Sequence, residues 1–91
     1  MRVVLADLIA DARHPADSDC VSLVHDLLWA HASVTDGLEH VRVRSADHGM
    51  DVFLFMRAPS DADALSQAQR LLCRARRPLR ARGYGFEDAL L

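Results

Sequence analysis

The sequence has no lysine and no asparagine, and Ile9 is its only isoleucine. All eleven basic residues are arginine. The codons of the missing residues are AT-rich, so a GC-rich genome accounts for the arginine preference without any ligand. The net charge is −2, which provides no general attraction to nucleic acid or to anionic lipid.

Long apolar runs and cofactor motifs are also missing. No run reaches the roughly 18 to 20 residues that a transmembrane helix needs, and Asp7 interrupts the N-terminal segment too early for a signal peptide. The segment Gly83–Phe86 lacks the preceding strand and following helix of a phosphate-binding loop. We therefore expect a cytoplasmic protein with no membrane partner and no cofactor.

Cysteine is scarce as well. The two cysteines are too few to define a disulfide framework. Cys20 falls near the start of one predicted helix and Cys73 near the end of the other, so we expect them to lie too far apart to form a bridge. Cys73 falls on a polar helix face and is predicted to be an exposed thiol.

The residues that are present suit one small globular domain over positions 1–91. Hydrophobic residues make up 51% of the chain and charged residues 26%, an ordinary balance for a folded protein. A domain of this length buries only about 60 to 65% of its unfolded surface. A partner subunit would therefore add useful stability.

The clearest pattern is a hairpin predicted over residues 38–57. Polar and apolar residues alternate over Glu39–Arg44, which is the period of a strand with one buried face. In the second strand the even positions are apolar and predicted to face the core: Met50, Val52, Leu54 and Met56. Its odd positions place Phe53 and Phe55 between charged ends on the other face, which is unusual for a hydrated surface.

The other elements follow from periodicity and capping. Residues 2–10 are predicted as a strand that is apolar on both faces apart from Asp7, although a helical spacing also fits them. Helices are predicted over residues 17–32 and 61–77, with Pro78 ending the second. Residues 79–91 are predicted as a weak edge strand and a tail.

This element order predicts an α+β protein. It resembles the ferredoxin-like βαββαβ sandwich, a four-stranded antiparallel sheet with two helices on one face, and the resemblance lies in element order alone. In that topology the first and third strands are central. The sheet face away from the helices would then have an apolar centre and a charged rim, as protein interfaces do.

We therefore expect a non-catalytic interaction module that forms a homodimer by packing sheet against sheet. A protein partner or a small ligand is the other occupant considered for this face. The predicted interface residues are Val3, Leu5, Ile9, His40, Arg42, Arg44, Phe53, Phe55 and Arg57.

The same aromatic and arginine residues also suggest a platform for single-stranded nucleic acid. The segment Gly49–Met56 resembles the corresponding strand of RNA-recognition motifs poorly, because Asp51 occupies a position where that family needs a permissive residue. The first strand has no aromatic residue. Nucleic acid is therefore an unlikely partner.

The C-terminal third is basic. Residues 64–91 contain six arginines and two acidic residues, against five arginines and eleven acidic residues in 1–63. These arginines suit a phosphate or an acidic partner, and they equally suit a solvated helix face at the negative end of the helix dipole. The predicted basic patch consists of Arg70, Arg74, Arg77, Arg80 and Arg82.

His31 and Tyr84 are the candidate catalytic residues of the alternative function, a dimeric α+β-barrel enzyme acting on a small hydrophobic substrate. His31 would act as a general base oriented by Asp7, and the enzyme would need an enclosed pocket reached by His31 or Tyr84. A histidine near a helix C-terminus is also stabilised there without any catalytic role.

A metal site is the last possibility considered. Imidazole and carboxylate are suitable ligands, but the spacing matches no defined site, and the aspartates also suit a helix start. The candidate ligands are His14, Asp17, Asp19 and His25.

Overall fold

The computed structural model describes residues 1–10 and 18–90. They form an α+β protein with four strands and two helices, and a 3₁₀ turn over Val34–Asp36 precedes the second strand. The elements are β1 (Arg2–Ala10), α1 (Ser18–His31), β2 (Leu38–Ala46), β3 (Gly49–Met56), α2 (Asp61–Ala81) and β4 (Tyr84–Leu90).

The strands form one antiparallel sheet in the order β2-β3-β1-β4. β1 pairs with β3 from Arg2 opposite Met56 to Ile9 opposite Gly49, and it pairs with β4 on its other side. The ambiguity over residues 2–10 is thereby resolved in favour of a strand. A central strand has no free edge, which explains why β1 is apolar on both faces.

The core consists of buried residues from the sheet and from both helices. Every even-numbered residue of β3 from Met50 to Met56 is fully buried, as the alternating pattern predicted, and so are Val4, Ala6 and Leu8 of β1. These side chains share one hydrophobic cluster with residues of both helices, including Val24, Leu28, Ala64, Ala68, Leu72, Ala75 and Leu79. Fully burying each large aliphatic side chain stabilises the fold by about 1.5 to 3 kcal/mol.

The prediction that Pro78 ends the second helix is wrong. α2 continues to Ala81, and β4 begins at Tyr84 rather than near residue 79. A proline inside a helix costs about 3 kcal/mol relative to alanine, because it removes one backbone hydrogen bond. Leu79 is fully buried and Tyr84 is only 2% exposed, and burying each such side chain contributes about 1.5 to 3 kcal/mol, which offsets that cost.

The β2–β3 turn is fixed against β1. Gly49 has a φ of +146°, and a Cβ at this position would lie 2.1 Å from the carbonyl oxygen of Leu8, so only glycine allows the two strands to approach this closely. The N–H of Ala10 donates to the carbonyl of His48 at 2.9 Å. Together these contacts hold the His48 backbone beside β1.

The bounds of β1 and the first residues of β2 and α2 agree with the predictions, and two other boundaries differ by one residue. α1 ends at His31 instead of residue 32, and β3 ends at Met56 instead of residue 57. Within residues 1–10 and 18–90, no helix combines the length and the hydropathy needed to cross a membrane.

Candidate functional site: the uncovered sheet face

The sheet face opposite the buried side chains of β1 and β3 is called the open face here. On these two strands it consists of the odd-numbered residues, because the even-numbered residues from Val4 to Leu8 and from Met50 to Met56 are buried in the core. β2 contributes His40, Arg42 and Arg44, which pair with Phe55, Phe53 and Asp51 respectively.

An apolar strip runs across the middle of the open face. Phe53 lies opposite Leu5, and Phe55 lies opposite Val3, in the β1–β3 pairing. Val3 is 42% exposed and Ile9 37% exposed, while Leu5 and both phenylalanines are half-buried. The apolar strip is therefore continuous from Val3 and Phe55 to Leu5 and Phe53, and the Asp7–Asp51 pair separates Ile9 from it.

Basic side chains of β2 cover part of the two phenylalanine rings. The guanidinium carbon of Arg44 lies 5.5 Å from the centroid of the Phe53 ring, within the range of a cation–π contact. The rings of His40 and Phe55 are tilted, with centroids 5.3 Å apart. These contacts form the charged rim on one side of the apolar strip.

At one end of the open face, a cluster of three side chains brings two carboxylates close to an imidazole. Asp7 and Asp51 are direct cross-strand partners, an arrangement in which like charges repel. His48 Nε2 lies 3.1 Å from Asp51 Oδ1 and 3.7 Å from Asp7 Oδ1. Arg44 donates a hydrogen bond of 2.8 Å to the other oxygen of Asp51, Oδ2.

Sequence reasoning missed this Asp7–His48–Asp51 cluster. The residues lie 41 and 3 positions apart in the chain, and only the register that sets Ile9 opposite Gly49 brings them together. The sequence predicts the β2–β3 hairpin and its short loop. It does not predict how β1 aligns with β3, and this alignment places Asp7 beside His48 and Asp51.

The hydrogen bond from Arg44 lowers the pKa of Asp51 below its usual value of 3.8. Burial opposes this effect, and the side chain is only 15% exposed. The positive charge of Arg44 lowers the pKa of Asp51 further. Asp51 is therefore ionised throughout the neutral range.

We expect Asp51 to make folding stability depend on acid pH. A carboxyl group with a lowered folded-state pKa contributes stability that is present above its unfolded pKa and is lost as the pH falls through its folded pKa. Urea unfolding of the wild type and Asp51→Asn between about pH 6 and pH 2 should show a difference in stability that is largest at pH 6 and shrinks at lower pH. Asp26→Asn, which alters a carboxylate that is 81% exposed, is the matched control, and a constant gap between wild type and Asp51→Asn would contradict the assignment.

His31 and Asp7 do not form the predicted catalytic pair. His31 Nδ1 is 3.0 Å from the Leu27 carbonyl oxygen in its own helix, whereas Asp7 faces His48 on the open face. As an odd-numbered residue of β1, Asp7 lies on the far side of the sheet from α1. The interpretation of His31 as a side chain hydrogen-bonded at a helix C-terminus agrees with this contact.

Tyr84 lies on the helix-facing side of the sheet and is 2% exposed. It borders a solvent-open hollow of about 350 Å³, together with Ile9, Ala10 and Arg80. The candidate enzyme requires an enclosed pocket, and this hollow is a surface feature between the end of β1, α2 and the start of β4.

The predicted basic patch contains one arginine with a structural role. Arg74 forms an ion pair with Asp36, which is 1% exposed, and its Nε donates to the His31 carbonyl at 3.1 Å. The sequence did not predict this ion pair, and the place of Arg74 in a binding patch stays a prediction. All five arginines of the patch are exposed.

The other predicted residues lie at the periphery of these sites. Arg57 is exposed at the end of β3, with Nε 4.0 Å from Glu39 Oε1. His25 Nδ1 is 3.4 Å from Asp26 Oδ1, and Cys73 is exposed as predicted. The candidate metal ligands His14 and Asp17, and the side chain of Asp19, lie outside the part of the chain that the structure describes.

No known protein family, curated protein sequence or solved structure matches this chain. Its functional interpretation therefore depends on the geometry of the described residues.

Proposed function

We propose that the protein is a small non-catalytic interaction module that forms a homodimer through its open face. The observation that carries this proposal is the apolar strip of Val3, Leu5, Phe53 and Phe55, on a sheet face that no described helix covers. Such a strip loses unfavourable contact with water when a second apolar surface covers it. Two copies offer each other the same surface.

We further propose that the fold is a ferredoxin-like βαββαβ sandwich. The strand order β2-β3-β1-β4 supports this, because it makes the first and third strands central. The single core cluster shared by α1, α2 and one sheet face also supports it. In this arrangement both helices lie on one side and leave the open face available.

The size of the face favours a dimer of modest affinity. Strand spacing of about 4.8 Å and a rise of about 3.4 Å per residue give a flat area of roughly 500 Å² for four strands of seven to nine residues. A standard interface contributes about 800 Å² per partner, counted as accessible surface. We therefore expect a dissociation constant of micromolar order.

The solution mass tests the proposal. The chain has a mass of 10.1 kDa, and sedimentation equilibrium over roughly 1 to 300 μM, a range that brackets a micromolar constant, should show the mean mass rising towards twice that value. A mass that stays at one chain across the whole range would refute the homodimer.

The two alternative functions have less support. Arg44 covers the Phe53 ring, and Asp7 and Asp51 place negative charge at the end of the same face, which disfavours a nucleic-acid backbone. His31 is hydrogen-bonded within α1, and the hollow beside Tyr84 opens to solvent. A cytoplasmic location stays a prediction of the sequence.

A further inference from the structure

We propose that Asp7, His48 and Asp51 form a binding site for a divalent transition-metal ion of the zinc class. All three ligand atoms lie within 4.8 Å of one another. They come from three parts of the fold: the middle of β1, the β2–β3 turn and the start of β3. The site is complete within one chain, so it does not depend on the proposed homodimer.

The distances between donor atoms suit a small metal ion. Zinc binds imidazole nitrogen and carboxylate oxygen at about 2.0 to 2.2 Å, so the ligand atoms of a tetrahedral site lie about 3.3 to 3.6 Å apart. His48 Nε2 is 3.1 Å from Asp51 Oδ1 and 3.7 Å from Asp7 Oδ1. These two separations bracket the tetrahedral value, and the carboxylate oxygens of Asp7 and Asp51 lie within 4.8 Å of each other.

The charge of the cluster favours a cation. Asp7 and Asp51 face each other across two paired strands, and such like-charged pairs destabilise a sheet. Arg44 pairs with Asp51 and compensates the charge of one of the two carboxylates. With a neutral His48, these four side chains together therefore have a net negative charge. A divalent ion between the carboxylates removes their repulsion.

The surrounding contacts hold the ligands in place. Arg44 bonds Asp51 Oδ2 and leaves Oδ1 directed at His48, the kind of supporting hydrogen bond that orients metal-bound carboxylates. The backbone of His48 is tied to Ala10 by a 2.9 Å hydrogen bond. Little reorganisation is therefore needed on binding.

The donor set indicates the class of metal. One imidazole and two carboxylates suit zinc, cobalt and nickel, whereas calcium and magnesium prefer oxygen ligands alone. The His48 side chain is 39% exposed and that of Asp7 is 35% exposed, so an ion can enter from solvent. Three protein ligands leave at least one coordination position open to water.

Calorimetric titration of tag-free protein with zinc chloride at neutral pH tests the site. We expect one ion per chain for the wild type and at least a tenfold loss of affinity for His48→Ala and for Asp7→Asn, since each removes a ligand. Cobalt(II) should give visible absorption bands that His48→Ala abolishes. His25→Ala is the matched control, because it removes a histidine 3.4 Å from a carboxylate outside the cluster, and it should bind as the wild type does.

Three results would overturn the proposal: no zinc binding by the wild type, unchanged affinity in both ligand variants, or binding that is lost only in His14→Ala. Far-UV circular dichroism and urea midpoints establish that each variant is folded. Sedimentation of the same samples, with and without a chelator, separates this site from the homodimer. A protein that is monomeric and binds zinc would contradict only the proposed homodimer. A protein that is dimeric and does not bind zinc would contradict only the proposed metal site.

Discussion

The double variant Phe53→Glu/Phe55→Glu is expected to be monomeric at concentrations where the wild type is dimeric. Twofold symmetry means that each dimer loses four rings from the centre of its interface and gains four carboxylates there. The variant loses the burial of these rings in the interface and places charged groups there that would lose their hydration. We therefore expect the dissociation constant to rise at least about 100-fold, which corresponds to roughly 2.7 kcal/mol. Sedimentation equilibrium measures the change directly.

The fold should survive this double substitution, because both residues lie outside the core cluster. Arg42 and Arg44 on the neighbouring strand can pair with the new carboxylates. Val34→Glu is the matched control, since it adds the same charge at an apolar residue that is 95% exposed and lies on the 3₁₀ turn, away from the open face. A double variant that still dimerises like the Val34→Glu control would show that the two rings do not form the interface.

Arg74→Met is expected to lower the free energy of unfolding by about 2 to 4 kcal/mol, the largest stability loss predicted among the surface arginines. The substitution leaves the Asp36 carboxylate buried, at 1% exposure, without its cation. We place the loss somewhat below the usual range for a fully buried pair because the Arg74 side chain is 41% exposed. Urea denaturation at neutral pH measures the loss.

The loss of stability is expected to be large because the Arg74–Asp36 ion pair connects three elements of the fold. Asp36 accepts a 2.7 Å hydrogen bond from the Ser33 backbone N–H and closes the capping box of the 3₁₀ turn. Its carbonyl accepts a 2.5 Å hydrogen bond from Gln67 of α2, and Arg74 also donates to the His31 carbonyl at the end of α1. The pair therefore joins the end of α1 to the middle of α2.

Arg70→Met is the control for this prediction. Arg70 is an exposed arginine on the same helix, and substitutions at such positions usually change stability by no more than about 0.5 kcal/mol. Equal losses in the two variants would mean that the ion pair adds nothing beyond an ordinary surface charge.

Local patterns predicted the secondary structure because the forces that form it act between neighbours in the chain. The alternation over Met50–Met56 follows from the pleat of a strand, and Ser60 accepts the Asp63 N–H as the N-cap of α2. Pro78 is the exception. Its local effect ends helices, but the burial of Leu79 and Tyr84 offsets that effect, and the sequence contains no measure of that burial.

The sequence by itself determined the α+β class, the buried face of the hairpin and the choice of Phe53 and Phe55 as the residues opposite that face. Only the tertiary structure decided that Asp7 lies beside Asp51 and His48, and that Arg74 pairs with Asp36. These pairs join residues that are 38 to 44 positions apart. Periodicity reports which way a side chain points from its own element, whereas the alignment of distant elements depends on the packing of the whole core.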